Sequence, residues 1–137
     1  MHTVGMFTPD SVADARQRYE SVGTPAQTVV REVARAMEFD REEYSDRVTG
    51  DVVETARDAL FASLLEVHVG TREEYDQWSE EYDGEVVETG HERVDHVVWH
   101  AGPDGTAVAA TFQNEEDAAV ATLRRQAFGR IYRDLVA

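Results

Sequence analysis

From residue 8 to residue 39 the apolar positions recur every three or four residues, the spacing that lines one side of an α-helix. The stretch "TPDSVADARQRYESV" (8–22) opens with Pro9 near a first helical position and sets Val12, Ala15, Tyr19 and Val22 on one face. "GTPAQTVVREVARAMEF" (23–39) repeats the signal, with Thr24 as the expected N-cap and Pro25 at the first helical position. Its apolar stripe is Ala26, Val29, Val30, Val33 and Met37, and Arg31, Glu32 and Arg35 turn outward, so an amphipathic helix is predicted. Residues 40–50 are polar and predict a short helix or turn. "DVVETARDALFASLLEVHVG" (51–70) predicts the most apolar helix, with Val52, Val53, Ala56, Leu60, Leu64 and Val67 on one side. Phe61, Ala62 and Leu65 widen that surface nearly all round its second half, as in a buried central helix. Gly70 is expected to close it as a C′ glycine, placing His68 in the last turn, where a cation suits the dipole. "TREEYDQWSEEYDG" (71–84) predicts a further helix, with Thr71 and Glu74 at capping-box spacing.

At Glu85 the period changes. "EVVETG" and "RVDHVVWHAG" are valine-rich and β-like, and "PDG" (103–105) is a turn. Pro103 presets its first dihedral, Asp104 tolerates the next, and Gly105 supplies the left-handed residue of a three-residue hairpin loop. "TAVAATF" (106–112) is the return strand. Pairing Gly102 with Thr106 sets His100 opposite Val108, Trp99 opposite Ala109, Val98 opposite Ala110 and His96 opposite Phe112, with Trp99 in the core. Asn114 is the expected cap of a last helix, 115–137, whose first turn carries three acids. The order defines a single α+β domain over 1–137, with a helical N-terminal two-thirds, a small antiparallel hairpin or three-stranded meander, and a C-terminal helix packed on the sheet.

Composition sharpens this picture. A chain of 137 residues holds a core without staples, and the absence of cysteine removes disulfides, thiolate metal sites and a cysteine nucleophile. No apolar run has signal-peptide or membrane-span length, so a soluble, cytoplasmic protein with no membrane partner is expected. Twenty-eight acids face thirteen bases, every one an arginine, for a net charge of −15. Such a charge repels itself at low ionic strength, and molar salt, with a Debye length of ~3 Å, removes the repulsion. Acid excess without lysine therefore reads as halophilic adaptation to a salt-filled cytoplasm, an acidic surface whose partners are monovalent cations and hydration water. Nucleic acid is not an expected partner, because counterion release fails as a driving force in high salt.

Candidate chemistry gathers in three places. His91, Glu92, Asp95, His96, Trp99 and His100 fall within ten residues. On a strand, however, His96 and His100 share a face at roughly 13 Å, too far apart for one metal, and Asp95 points the other way. No metal and no cofactor is expected. Tyr75, Trp78 and Tyr82 form an aromatic stripe at helical spacing among acids, which reads either as core packing or as a pocket for a cation. Residues 118–137 carry four arginines and one acid, a local +3 that leaves −18 for residues 1–117. Arg125, Arg130 and Arg133 take the polar side of the wheel. Arg124 falls inside the apolar arc of Val120, Leu123, Ala127, Phe128 and Ile131, where an arginine must snorkel, pair with a buried acid or lie in an interface. Arg57 is a weaker version of the same case. No phosphate loop, dinucleotide fingerprint, nucleophile elbow or HExxH occurs.

The segments "MFTPDSVADARQRYESVG", "VVREVARAMEFDREEY", "DVVETARDALFASLLEV" and "ATLRRQAFGRIYR" give the chain a resemblance, over nearly its whole length, to a family of uncharacterised haloarchaeal proteins, a domain of unknown function. The resemblance implies lineage and a cytoplasmic setting and brings no catalytic residues. The balance is against an enzyme. The leading expectation is a non-enzymatic interaction or regulatory module that self-associates, with Arg124, His96, His100, Tyr75, Trp78 and Tyr82 as candidate ligand or interface residues. The alternative is a small-molecule (anion) binder or enzyme that uses a sheet–helix crevice with Arg124 and a hairpin histidine.

Overall fold

The computed structural model describes residues 1–136 and places them in an α+β fold. Ala137, the end of the expected last helix, lies outside the described residues. The elements are β1 (His2–Val4), α1 (Val12–Ser21), α2 (Gly23–Ala36), α3 (Arg41–Arg47), α4 (Gly50–Leu64), β2 (Val67–Thr71), α5 (Arg72–Glu81), β3 (Glu85–Thr89), β4 (His96–Ala101), β5 (Thr106–Phe112) and α6 (Glu116–Ala127). A π-helical stretch, Phe128–Tyr132, joins α6 to a last turn, α7 (Arg133–Val136).

The α+β class and the C-terminal helix on the sheet follow the sequence, but the sheet is larger and mixed. Its order is β1-β2-β4-β5-β3, antiparallel except where β3 runs parallel to β5. The hairpin register is as derived: His96 opposite Phe112, Val98 opposite Ala110, Trp99 opposite Ala109 and His100 opposite Val108. Gly105 turns the loop with φ of 84°, and the Gly102 N–H donates to the Thr106 carbonyl at 2.8 Å. The Thr71–Glu74 capping box is also present.

Three local readings change. The helix expected over 51–70 stops at Leu64, and its tail is the inner strand β2. Leu65, Val67 and Val69 are buried and Glu66 and His68 are not, a period of two that a helical wheel spreads over all sides of a cylinder. His68 is therefore a strand residue stacked on Trp99 at 5.5 Å, and Gly70 is not a helix cap. A Cβ on Gly70 would meet the Trp99 ring at 3.0 Å, so glycine here makes room for the indole. Helix α2 starts at Gly23 without a side-chain cap, running on from α1 through Val22, so Thr24 is not its N-cap. Glu115 rather than Asn114 stands at the N-cap of α6, again without a side-chain bond.

The sheet is covered on both faces. Helix α5 lies on one, over Trp99, Val97 and Ala109. Residues from α1, α4, α6 and the π stretch fill the other with Val67, Val69, Val98 and Val108. Helix α2 stands outside this core: its buried Ala26, Val30 and Ala34 pack on α4 and α1 rather than on the sheet.

Candidate functional site

The turn from α4 into β2 is sharp, and a helix end leaves carbonyls that need donors. Here no glycine cap supplies them. The Leu64 carbonyl accepts from the Met6 and Phe7 N–H groups at 2.9 and 3.2 Å. The Leu65 carbonyl accepts from Arg124 Nε at 2.9 Å, and the Glu66 carbonyl from His100 Nδ1 at 2.6 Å. Arg124 Nη2 also donates to the Val4 carbonyl at 3.1 Å, tying the edge strand β1 to the same point. Gly5 permits this approach: φ is 128°, and a Cβ would come within 2.5 Å of the Leu65 carbonyl oxygen. Arg124 thus sits in the apolar arc as the wheel predicts, but its partners are carbonyls, not a carboxylate. Its charge also complements the negative end of the α4 dipole. Burial lowers its pKa from the ordinary value. Arg57 repeats the pattern, with Nε on the Tyr19 carbonyl at 3.0 Å and its guanidinium 4.2 Å over the Tyr19 ring.

His100 is 1% exposed, and both ring nitrogens are engaged. A carbonyl can only accept, so Nδ1 carries the proton and the bare Nε2 accepts from the Tyr132 hydroxyl at 2.6 Å. Burial pushes the imidazole pKa down, the Glu66 carbonyl opposes this, and the charges of His68 and Arg124 add to it. Burial, with smaller contributions from Asp104 and Asp14, pushes the Tyr132 phenol up. Both shifts favour the neutral pair. Tyr132, fully buried, is the last residue of the π-helical stretch. Neither its bond to His100 nor the π turn has a signal in an α-helical wheel, which is why Tyr132 escapes sequence reasoning.

The remaining candidates lie elsewhere. His96, at the far end of β4, is exposed and packs on Phe112 at 5.3 Å. From the Leu65 level to its partner level, Thr71, is six residues of strand, roughly 20 Å, so His96 does not approach Arg124. His91 is exposed, and its Nδ1 accepts from the Arg93 N–H at 3.0 Å. Tyr75, Trp78 and Tyr82 come together with Trp99: Trp78 stacks on Tyr82 at 4.8 Å and lies 5.8 Å from Trp99, and Tyr75 lies 5.4 Å from Trp99. The rings cover one another, which is core packing on the sheet and not an open cation cage. Among the described residues, no three His, Asp or Glu side chains converge as metal ligands would. Arg125, Arg130 and Arg133 are exposed. Arg124 and Arg125 border a hollow of about 200 Å³ with Ala59, Ala62, Ser63 and Ala121.

The opposite situation holds at the corner of α2, α3 and α4. Val29, Val33 and Met37 are 50, 52 and 59% exposed, and Val52 of α4 is 43% exposed beside them. With Val30, Ala34, Phe39, Val48 and Ala56 they line an apolar trough of about 340 Å³ whose one charged lining residue is Arg47.

A small α+β protein with a sealed polar centre and an open apolar corner is the class this geometry defines. The chain belongs to the DUF5809 family, a family of unknown function, which matches residues 6–133. No curated protein and no solved structure matches it. Among the described residues, no helix is long and apolar enough to cross a membrane.

Proposed function

We propose that this chain is a non-enzymatic interaction or regulatory module of a salt-filled cytoplasm, and that it self-associates. One observation carries the reading: half of the α2 stripe, Val29, Val33 and Met37, stays in solvent on a chain of net charge −15. Large apolar side chains clustered on so charged a surface mark a contact face. The inward polar groups support the same reading, since Arg124 and His100 are held on backbone carbonyls. Size exclusion with light scattering in molar KCl tests it. The expected mass is twice the 15.4 kDa of one chain, and 15.4 kDa at every concentration overturns it. The halophilic part is tested separately: the unfolding midpoint rises steeply with KCl, and a flat profile contradicts it.

The alternative, an anion binder using Arg124, is favoured by one feature, the hollow between Arg124 and Arg125. His100 has no role in it, because its nitrogens are sealed. Titration with sulfate, followed by amide shifts of Ala121–Arg125, tests this reading. Unmoved shifts remove it.

A further inference from the structure

We propose that the α2–α4 trough is the face on which two copies of this chain pack about a two-fold axis. The inference rests on the self-association reading and assigns its surface.

The apolar stripe written into α2 is wider than the fold covers. Ala26, Val30 and Ala34 turn in toward α4, and Val29, Val33 and Met37, at i, i+4 and i+8, form a second row that stays half or more exposed. This row forms the α2 wall of the trough, so one patch holds both an apolar ridge and the groove that it borders. A patch of that kind is self-complementary, and an isologous two-fold contact closes at two copies.

Charge selects a second copy as the occupant. Acids make up about one residue in five of the chain, but residues 21–37 contain one, Glu32, against Arg31 and Arg35. Glu32 is itself 3.5 Å from Arg35. Two chains of charge −15 can therefore bring their α2 faces together without setting a row of α2 carboxylates against another. Arg47, whose guanidinium lies 5.5 Å over the Phe39 ring, is the one charged residue in the lining of the trough. A basic partner would find no carboxylate in the lining to hold it. The outlying position of α2, with its buried residues outside the main core, leaves this face open on the surface.

The experiment compares the intact chain with Val33→Glu and Met37→Glu by light scattering over a concentration series in molar KCl. Both sites are more than half exposed, and glutamate is a good helix former, so each variant keeps its far-UV circular dichroism. Gln77→Glu, exposed on α5, adds the same charge elsewhere. The expected result is a dimer for the intact chain and Gln77→Glu, and dimerisation weakened at least about a hundred-fold for the two trough variants, because each dimer would bury two carboxylates. A dimer that persists in both trough variants overturns the surface and leaves self-association standing. An intact chain that stays at 15.4 kDa overturns both, including the case in which the trough takes up a foreign amphipathic helix instead.

Discussion

The α4–β2 junction and the α2–α4 corner treat their difficult groups in opposite ways. At the junction, polar atoms lie inside and are met: the carbonyls of Val4, Leu64, Leu65 and Glu66 each have a donor. At the corner, apolar side chains lie outside and are not met. The difference separates two uses of unusual residues. An arginine and a histidine in an apolar setting suggest a site, yet here they close a helix end and anchor an edge strand. Val29 and Val33 of an ordinary amphipathic stripe, which the sequence offers as core and not as candidate site residues, are the groups left half exposed, and they carry the proposed contact.

Substitutions can break or sharpen that contrast. The largest effect is expected from Arg124→Met, which keeps the stem and leaves two carbonyls without donors: a loss of about 3 kcal/mol in urea unfolding. Arg124→Lys recovers part of it, since an ammonium cannot span both carbonyls from one planar fork. If Arg124→Met unfolds like the parent, the junction is not held as described. Tyr132→Phe strands His100 Nε2 at a cost of about 1–2 kcal/mol. At the corner, Val33→Ala is expected to change the stability of one chain by less than about 0.5 kcal/mol while weakening association. His96→Gln changes neither, within about 0.5 kcal/mol, and a loss of association there would move the contact face to the sheet end.

The two buried or half-buried histidines of the sheet respond to acid, and the corner holds none. His68 and His100 both have folded pKa values below the ordinary 6.5, chiefly through burial. Between the folded values and 6.5 the unfolded chain binds protons that the fold refuses. The histidine contribution to stability is therefore complete above pH 6.5 and falls as the pH drops below it, by up to about 1.4 kcal/mol per unit for the buried His100 and by less for the half-buried, solvent-screened His68. A urea midpoint in molar KCl that holds constant from pH 7 to pH 5 would contradict the buried neutral pair.

How much of this was legible follows from what a helical wheel or an alternation can carry. The hairpin register, the capping box over Thr71 and Glu74, and the inward position of Arg124 each follow from spacing over a few residues. Strand β2 was hidden because five apolar-alternating residues directly continue a helix, with no proline or glycine between them to mark the change. The partners of Arg124 and His100 are carbonyls, which every residue owns and no side-chain pattern reveals. The unburied half of the α2 stripe was equally invisible, since periodicity shows that a face is apolar but not how much of it a neighbour covers.

Amide hydrogen exchange of the intact chain in molar KCl, at low and high protein concentration, tests the contrast most directly. The account predicts that protection rises with concentration along α2 and the facing part of α4, and stays constant in β2, β4 and α6. Exchange independent of concentration throughout, or protection gained at the junction and not at the corner, would contradict it.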